Sequence, residues 1–350
     1  MYVFRTTLVA LVVIVSLVSG TRAQQNLAFS LFDRSLDQLR QESGIPGVSA
    51  AIVSGGRVVW ERGFGMADVE RSFAAAPDTP YPVGDLTQTL AATVVLQRVD
   101  RGLFNLADVV ARWTNVIPEP QATVEQVLMH TSSGAFRYEP SRFAVLTPII
   151  EYEYGRVPFR KVLATEILDP LEMRDSVPGH DMEQPSAFDQ SFFSQENLNR
   201  YAGAVRRLAV PYRVDARRRA TRSEYPPRSI TAGTGLISSA RDLARFDGAL
   251  DASALLDADT MAAMWRLPAT GSRVPTGLGW FVQTYNGTRI VWHFSLSANA
   301  FSSLVLKVPE QNLTLILLAN SDGLSAPFAL DRGDVTTSLY ARLFLRVFLP

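Results

Sequence analysis

Cysteine is absent from the 350-residue chain. The chain can therefore form no disulfide, and a thiolate nucleophile, a Cys-ligated zinc and an iron–sulfur cluster are all excluded. Histidine is almost as scarce, because His130, His180 and His293 are the only three. No two of them have the spacing typical of zinc-hydrolase ligands, so we expect neither a metal ion nor another cofactor.

An excess of charge of either sign is also absent. The 34 Lys and Arg residues balance 34 Asp and Glu residues, so we expect no nucleic-acid partner. Lysine itself is rare: with only Lys161 and Lys307 present, a mechanism that needs a lysine has two candidates. Hydrophobic residues make up 47% of the chain, which is enough for a folded core and excludes disorder as the main state.

The amino-terminal segment has the pattern of a secretory signal. Arg5 precedes an apolar run, Leu8–Val18, and the small side chains that signal peptidase requires end at Ala23. An uncleaved anchor is the alternative, but the run is shorter than the roughly 20 residues that span a bilayer. We therefore predict a signal peptide over 1–23 and a mature chain exported to the periplasm or the extracellular space, without a membrane span.

Hydrophobic patterns place strands at both ends of the mature chain. Near its start, Val48–Val53 and Val58–Trp60 are apolar runs joined by a Gly-Gly turn, which predicts a hairpin. Asn286-Gly287 marks a second hairpin turn within the last hundred residues. The β-rich runs there are Gly279–Tyr285, Arg289–His293, Ala300–Val308 and Leu313–Ala319.

Helical patterns lie between and outside these strands, and Asp169–Arg228 is rich in loops. The predicted helices are Phe29–Ser43, Leu86–Arg101, Thr123–Met129, Phe143–Tyr152, Pro158–Ile167, Ala240–Leu250, Asp259–Trp265 and Thr336–Phe348. This order predicts an α/β (α+β) fold, in which one antiparallel sheet from both chain ends is flanked by helices. We expect a single domain over 24–350, with an α/β part at about 24–80 and 266–350 and a mostly helical inserted subdomain at about 81–265.

Several short phrases occur in a fixed order along the chain. They are Gly44-Ile45-Pro46-Gly47-Val48, Gly63-Phe64-Gly65-Met66-Ala67-Asp68, His130-Thr131-Ser132-Ser133-Gly134, Leu168-Asp169-Pro170-Leu171-Glu172-Met173, Ala232-Gly233-Thr234-Gly235-Leu236 and Leu318-Ala319-Asn320. With these phrases the chain resembles the serine β-lactamase-related family, which groups class C β-lactamases, penicillin-binding DD-peptidases and related esterases. The resemblance covers about 30–345 and implies a β-lactamase/transpeptidase-like fold.

The chemistry of that family depends on three short motifs. A Ser-x-x-Lys opens the first long helix, where Ser attacks a carbonyl and Lys helps to take its proton. A Tyr-x-Asn loop supplies a second proton-transfer group, and a Lys/His-x-Gly strand lines the far wall of the cleft. The oxyanion hole consists of two backbone N–H groups, one of them on the nucleophile itself.

This chain departs from all three motifs. The resemblance places Asp85 at the nucleophile position and Gln88 at the lysine position, so both essential groups are absent. Tyr138 matches the second motif, which has lost its Asn, and His293 matches the third, in which Ser295 replaces Gly. The resemblance thus assigns no catalytic residue. It implies that Asp85, Tyr138, His293 and Ser295 line a ligand cleft.

Asp85 and Gln88 also fit a structural role. Asp followed three residues later by Gln, before an apolar helix, predicts a variant capping box that satisfies the first helical N–H groups. Alternatively, Asp85 acts as a general base or a carboxylate nucleophile, with Tyr138 or His293 as the proton donor. The patterns leave open whether His293 is only a hydrogen-bonded strand residue and whether Tyr138 simply packs.

The segment 206–228 is rich in arginine. Its arginines are Arg206, Arg207, Arg213, Arg217, Arg218, Arg219, Arg222 and Arg228. Such a run is typical of a solvated loop. The alternative is an anion-binding lip for a carboxylated or phosphorylated polymer.

Two functions are compatible with these patterns. The first is a non-catalytic, exported member of the family whose cleft binds a peptide, a cell-wall fragment or a small ester-like ligand, or serves as a scaffold. The second is a hydrolase of esters, amides or β-lactams that uses Asp85 with Tyr138 or His293. The surroundings of the Asp85 carboxylate distinguish the two, because a carboxylate held by backbone N–H groups and Gln88 cannot attack.

Overall fold

The computed structural model of the protein describes residues 26–349, apart from residues 118, 268, 270 and 271. The predicted signal peptide therefore lies outside the described residues. Among the helices of the described part, none is both long and apolar enough to cross a bilayer.

A seven-stranded antiparallel sheet forms the centre of the fold. Its strands, numbered with the others in chain order, are β1 Gly47–Ser54, β2 Arg57–Asp68, β3 Phe73–Ala74, β8 Phe281–Tyr285, β9 Thr288–Ser297, β10 Phe301–Val308 and β11 Leu313–Ala319. Their order is β3-β2-β1-β11-β10-β9-β8. The two ends of the chain meet in the middle of the sheet, where Val48 of β1 lies opposite Ala319 of β11. The predicted sheet from both chain ends is confirmed.

Helices cover both faces of this sheet. They are α1 26–42, α2 Thr87–Asp100, α3 Val124–Leu128, α4 Pro140–Phe143, α5 Leu146–Glu153, α6 Phe159–Leu163, α7 Ala187–Gln190, α8 Gln195–Val205, α9 Ala240–Asp251, α10 Ala258–Met264 and α11 Leu339–Phe348. Two small sheets pair β4 Tyr81–Gly84 with β7 Leu236–Ser238, and β5 Tyr212–Val214 with β6 Ala220–Arg222.

The alternation of side chains along a strand explains why both faces are buried. On β1, Ala50 and Ile52 belong to one apolar cluster with Phe344 of α11, whereas Ala51 and Val53 belong to the cluster on the opposite face. Successive side chains of a strand point to opposite sides of the sheet. Four consecutive apolar residues, Ala50–Val53, therefore require cover on both sides of the sheet, and β1 has it.

The region predicted as loop-rich contains regular structure. It holds α8, where Ser194 caps the helix by accepting the N–H of Asn197, and the β5–β6 hairpin. Only Tyr201, Ala204 and Val205 of α8 are buried, so its apolar pattern is too short to stand out among polar neighbours. The predicted helix Phe143–Tyr152 is two helices, α4 and α5.

Strand β9 is longer than predicted, and this extension matters for the site. It was expected to end at His293 but continues to Ser297. His293 and Ser295 therefore lie two residues apart on one strand, and their side chains project from the same face. Helix α2 lies nearby with its first half fully buried.

Candidate functional site

The four predicted ligand-facing residues come from three parts of the fold and meet beside the start of α2. Asp85 follows β4, Tyr138 lies in the loop before α4, and His293 and Ser295 lie on β9. Asp85 hydrogen-bonds both Tyr138 and Ser295, and the Tyr138 and His293 ring centres are 6.1 Å apart. The structure brings all four together, and His180 is not among them, since it packs against Tyr225.

The Asp85 carboxylate is hydrogen-bonded to a phenol. The Tyr138 hydroxyl donates to Asp85 Oδ2 across 3.1 Å. Burial raises the pKa of Asp85 to about 7, and the bond from Tyr138 opposes that rise. The pKa of Tyr138 lies well above its ordinary value because of burial and the Asp85 charge. Tyr138 is thus a neutral donor, while Asp85 exchanges its proton near neutral pH.

The predicted capping box is wrong. Helix α2 starts at Thr87, and Leu86 before it is already helical in conformation and provides no side-chain cap. Asp85 therefore lies one residue too early to cap, and its carboxylate contacts Tyr138 instead. The Gln88 side chain does not reach back to the helix start, because its amide nitrogen donates to the Gly233 carbonyl at 3.4 Å.

Gln88 joins three segments that are distant in sequence. Its Oε1 lies 2.9 Å from His130 Nε2, and the N–H of Glu139 donates to His130 Nδ1 at 3.4 Å. Since Nδ1 accepts, Nε2 carries the proton and donates it to Gln88. Burial lowers the pKa of His130 to about 3, so this contact is neutral. The family's lysine is thus replaced by a buried amide cross-link.

His130 is the site neighbour that the sequence analysis missed. From the sequence, its segment is only a phrase of the family resemblance, and Ser132 of that segment accepts the Arg142 Nε–H at 3.2 Å. The ring of His130 packs against Tyr138 in a tilted arrangement, with 4.8 Å between ring centres. No local pattern links His130 to Gln88, 42 positions away, so only the fold could place them together.

His293 is a neutral imidazole buried among aromatic rings. Its Nδ1 lies 2.9 Å from the carbonyl oxygen of Phe294, which can only accept, so Nδ1 carries the proton. Burial lowers the pKa of His293 to about 4. In the described part of the chain no group hydrogen-bonds its Nε2, so at neutral pH this nitrogen is a hydrogen-bond acceptor.

Ser295 occupies the position next to the Asp85 backbone. The Asp85 N–H donates to Ser295 Oγ at 3.0 Å. A Cβ on Gly84, whose φ is +50°, would lie only 2.1 Å from that oxygen, so only glycine fits there. Ser295 thus binds the N–H group that the family resemblance assigns to the oxyanion hole.

Neither lysine reaches Asp85. Lys307 is fully buried, and its Nζ bonds Asp247 Oδ1 at 2.9 Å and Asp251 Oδ1 at 2.6 Å. Lys161 lies over the Phe193 ring at 5.3 Å. Within the residues that the structure describes, no three His, Asp or Glu side chains are grouped as metal ligands.

Comparison with known proteins supports the family resemblance and the fold. The sequence model of the β-lactamase family matches residues 32–336. The chain belongs to the β-lactamase family. The expected resemblance and fold are therefore confirmed.

Three proteins similar to this family member share 24% or less of their residues with it. PbpX of Bacillus subtilis (strain 168), named as a penicillin-binding protein, is 24% identical over 303 residues, which are 77% of this chain and 71% of PbpX. The octameric penicillin-binding protein homologue from Pyrococcus abyssi superposes with a TM-score of 0.71 at 21% identity, covering 90% of this chain and 76% of the homologue. A class C β-lactamase from Rhodobacter sphaeroides superposes with a TM-score of 0.68 at 16% identity, covering 93% of this chain and 100% of that enzyme. At these identities the two structures establish the fold alone.

Proposed function

We propose that this β-lactamase-family protein is exported and binds a ligand at the Asp85 cleft without hydrolysing it. The observation that carries the proposal is the hydrogen bond from the Asp85 N–H to Ser295 Oγ. Acyl transfer in this family needs that N–H to stabilise the developing oxyanion. With Ser295 bound to it, the N–H is not available unless β9 or its side chain moves.

The other two requirements of acyl transfer are unmet as well. Asp85 stands where the hydroxyl nucleophile belongs, and its carboxylate, when ionised, repels the negative charge that develops on a substrate oxygen. Gln88 stands where the base belongs, but an amide has no basic lone pair at neutral pH. Its oxygen already accepts a bond from His130. These two substitutions support binding rather than turnover.

The polar groups of the cleft favour a ligand that donates hydrogen bonds. The Asp85 carboxylate and His293 Nε2 both accept, whereas Tyr138 already donates to Asp85. Asp85 is partly exposed to solvent, and the Tyr138 ring whose hydroxyl bonds it packs against Phe294, with 5.1 Å between ring centres. We therefore infer a peptide or cell-wall fragment that presents an amino or amide N–H group.

The test compares the mature protein with Asp85→Ala. A chromogenic cephalosporin, nitrophenyl acetate and a peptide amide serve as substrates, and a fluorescent penicillin reports a covalent acyl-enzyme. We expect rates equal to buffer and no labelling. Asp259→Ala, at an exposed site in α10, is the matched control. Turnover that disappears only in Asp85→Ala, with unchanged circular dichroism, would refute the proposal.

One observation favours a second candidate, a hydrolase that uses Asp85 as a general base toward water. Within the described residues no backbone N–H group holds the carboxylate, and its pKa of about 7 suits proton transfer near neutral pH. Tyr138 is then the proton donor, because the Nε2 of neutral His293 carries no proton. Such an enzyme would show a rate that rises with pH through about 7, as Asp85 loses its proton.

A further inference from the structure

A cavity that shares no lining residue with the Asp85 site lies among arginines. Its volume is about 420 Å³. It is formed where the turn after β2, the end of α8 and strand β6 come together. The arginines that line it are Arg71, Arg206, Arg207 and Arg222. Neither Asp85, Tyr138, His293 nor Ser295 contributes to its lining.

Two of these arginines have acidic partners. The Asp68 carboxylate accepts the Arg71 backbone N–H at 3.0 Å, and Arg71 Nε lies 3.6 Å from the same side chain. Arg207 forms an ion pair with Asp175. Asp68 is the one acidic residue among the residues lining the cavity.

The other two arginines are uncompensated. In the described part of the chain, neither Arg206 nor Arg222 forms an ion pair with a carboxylate, and both are exposed. Glu70 is the acidic neighbour of Arg222. Its carboxylate accepts from the Tyr212 hydroxyl, the main cause of its lowered pKa, and the Arg222 charge contributes only in a minor way. The cavity therefore has guanidinium groups free to bind an anion.

Apolar side chains form the rest of the cavity. Leu208 and Val210 are buried in its wall, Tyr225 is half-buried, and Phe73 is 50% exposed. In the described residues no group hydrogen-bonds the Tyr225 hydroxyl, so it is a further donor beside the guanidinium groups. Large aromatic faces next to guanidinium groups suit a flat apolar body that carries a negative charge.

The backbone that presents these side chains is cross-linked. The Val69 N–H donates to the Tyr212 hydroxyl at 2.8 Å, and the Val210 N–H donates to the Ala67 carbonyl at 2.8 Å. These bonds tie the turn after β2 to the segment before β5 and to the β5–β6 hairpin. Because this backbone is already ordered, ligand binding costs less conformational entropy.

We propose that this cavity is a binding site for a small organic anion, a phosphate or carboxylate attached to an aromatic or apolar body. Its volume is within the range of about 300–1,000 Å³ that small-molecule sites occupy. From the sequence, an anion-binding lip could lie anywhere in the segment 206–228, and we place it at Arg206 and Arg222. At the tip of the β5–β6 hairpin, Asp215 already accepts the backbone N–H groups of Arg217 and Arg219, both at 2.9 Å, and pairs with the Arg219 side chain.

The experiment titrates the purified protein with phenyl phosphate, benzoate and inorganic phosphate by calorimetry at low salt. Arg206→Ser/Arg222→Ser removes two cavity charges. Arg217→Ser/Arg219→Ser removes two charges at the hairpin tip and is the matched control, with the fold of each variant checked by circular dichroism. We expect the cavity variant to bind phenyl phosphate at least about tenfold more weakly, because it loses charged hydrogen bonds, and the control to bind as the wild type does.

A third variant tests the apolar part of the site. Phe73→Ala should weaken phenyl phosphate several-fold and leave inorganic phosphate unchanged, since only the former has a ring to cover. The relative affinities of phenyl phosphate and benzoate identify the preferred headgroup. The proposal is overturned if none of the three probes binds to the wild type. It is also overturned if both double variants lose the same affinity for phenyl phosphate, because binding would then depend on the general positive charge of the surface and not on this cavity.

Discussion

The backbone N–H of Asp85 donates to the hydroxyl of Ser295 across 3.0 Å, and this bond joins two positions at which the chain departs from its family's motifs. Gly84 makes the contact possible, because any side chain there would collide with Ser295 Oγ. The glycine of the family motif has no side chain that could bind this N–H, whereas the Ser295 hydroxyl accepts a hydrogen bond from it. A change on β9 thus accompanies the loss of the nucleophile on a different segment.

This hydrogen bond predicts that restoring the Ser and Lys of the family motif does not restore full reactivity toward a penicillin while Ser295 remains. Asp85→Ser/Gln88→Lys should react with a fluorescent penicillin at least about tenfold more slowly than the same variant carrying Ser295→Gly, because one oxyanion donor contributes about 10²–10³ in rate. Labelling is followed on a gel, with circular dichroism confirming the fold. Equal labelling of the two variants would show that Ser295 does not block the N–H.

The raised pKa of Asp85 predicts a pH dependence of stability. Its folded value is about 7 against 3.8 for the free side chain, so between these pH values the folded state holds the proton more tightly. The contribution of Asp85 to the free energy of unfolding therefore falls as the pH rises from 3.8 to about 7. Asp85→Asn should be more stable than the wild type at pH 8 by about 2 kcal/mol, a figure reduced because Asp85 is partly exposed, and the gain should vanish below pH 4.

Urea unfolding across pH 3–9 measures this difference, and Asp259→Asn is the exposed control. A second measurement uses carboxyl carbon NMR. There, Tyr138→Phe should raise the pKa of Asp85 above about 7, since the variant loses the hydrogen bond that favours the ionised form. A pKa that falls or stays in Tyr138→Phe would contradict the assigned contact.

The sheet and the convergence of the motif residues could be predicted from the sequence. Strand β11 is apolar at every position except Thr314, and β1 contains the continuous apolar run Ala50–Val53. Runs of this kind indicate burial on both faces. The order of the family phrases implied that Asp85, Tyr138 and His293 share a cleft. The apolar runs and the family phrases each consist of consecutive residues. Neither requires knowledge of which side chains contact one another in the fold.

The hydrogen bonds of the site could not be predicted in this way. Local rules assigned Gln88 to a capping box, yet its partners are His130 and Gly233, which only the tertiary fold brings near. The Asp85–Ser295 bond spans 210 positions and has no local pattern. A buried polar side chain such as Gln88 takes the hydrogen-bond partners that the tertiary fold provides, even where a local motif predicts a different partner.

The buried position of Gln88 predicts a structural cost for its loss. Gln88→Met keeps a similar volume but leaves the His130 Nε2–H and the Gly233 carbonyl without their partner. We expect a loss of about 1–3 kcal/mol in the free energy of unfolding. Gln88→Glu, which retains the acceptor oxygen, should lose less at a pH where it is protonated. Chemical denaturation of both variants checks this, and an unchanged midpoint in Gln88→Met would show that the cross-link is dispensable.

The ion cluster at Lys307 predicts a larger loss of stability than the loss expected for Gln88→Met. Its Nζ also bonds Thr314 Oγ1 at 3.1 Å, and Asp247 and Asp251 each have a second carboxylate oxygen that is buried without a partner. Lys307→Met removes the cation that pairs with both carboxylates and leaves two acids without it, so stability should fall by about 3–5 kcal/mol.

Adding Asp247→Asn and Asp251→Asn to Lys307→Met should recover part of that loss, because the remaining groups are then neutral. Lys161→Met, which removes the other lysine from a partly exposed position, should change the unfolding free energy by less than about 0.5 kcal/mol. If the triple variant were no more stable than Lys307→Met, uncompensated charge would not be the cause. The lost packing of the lysine stem against the sheet would then account for the destabilisation.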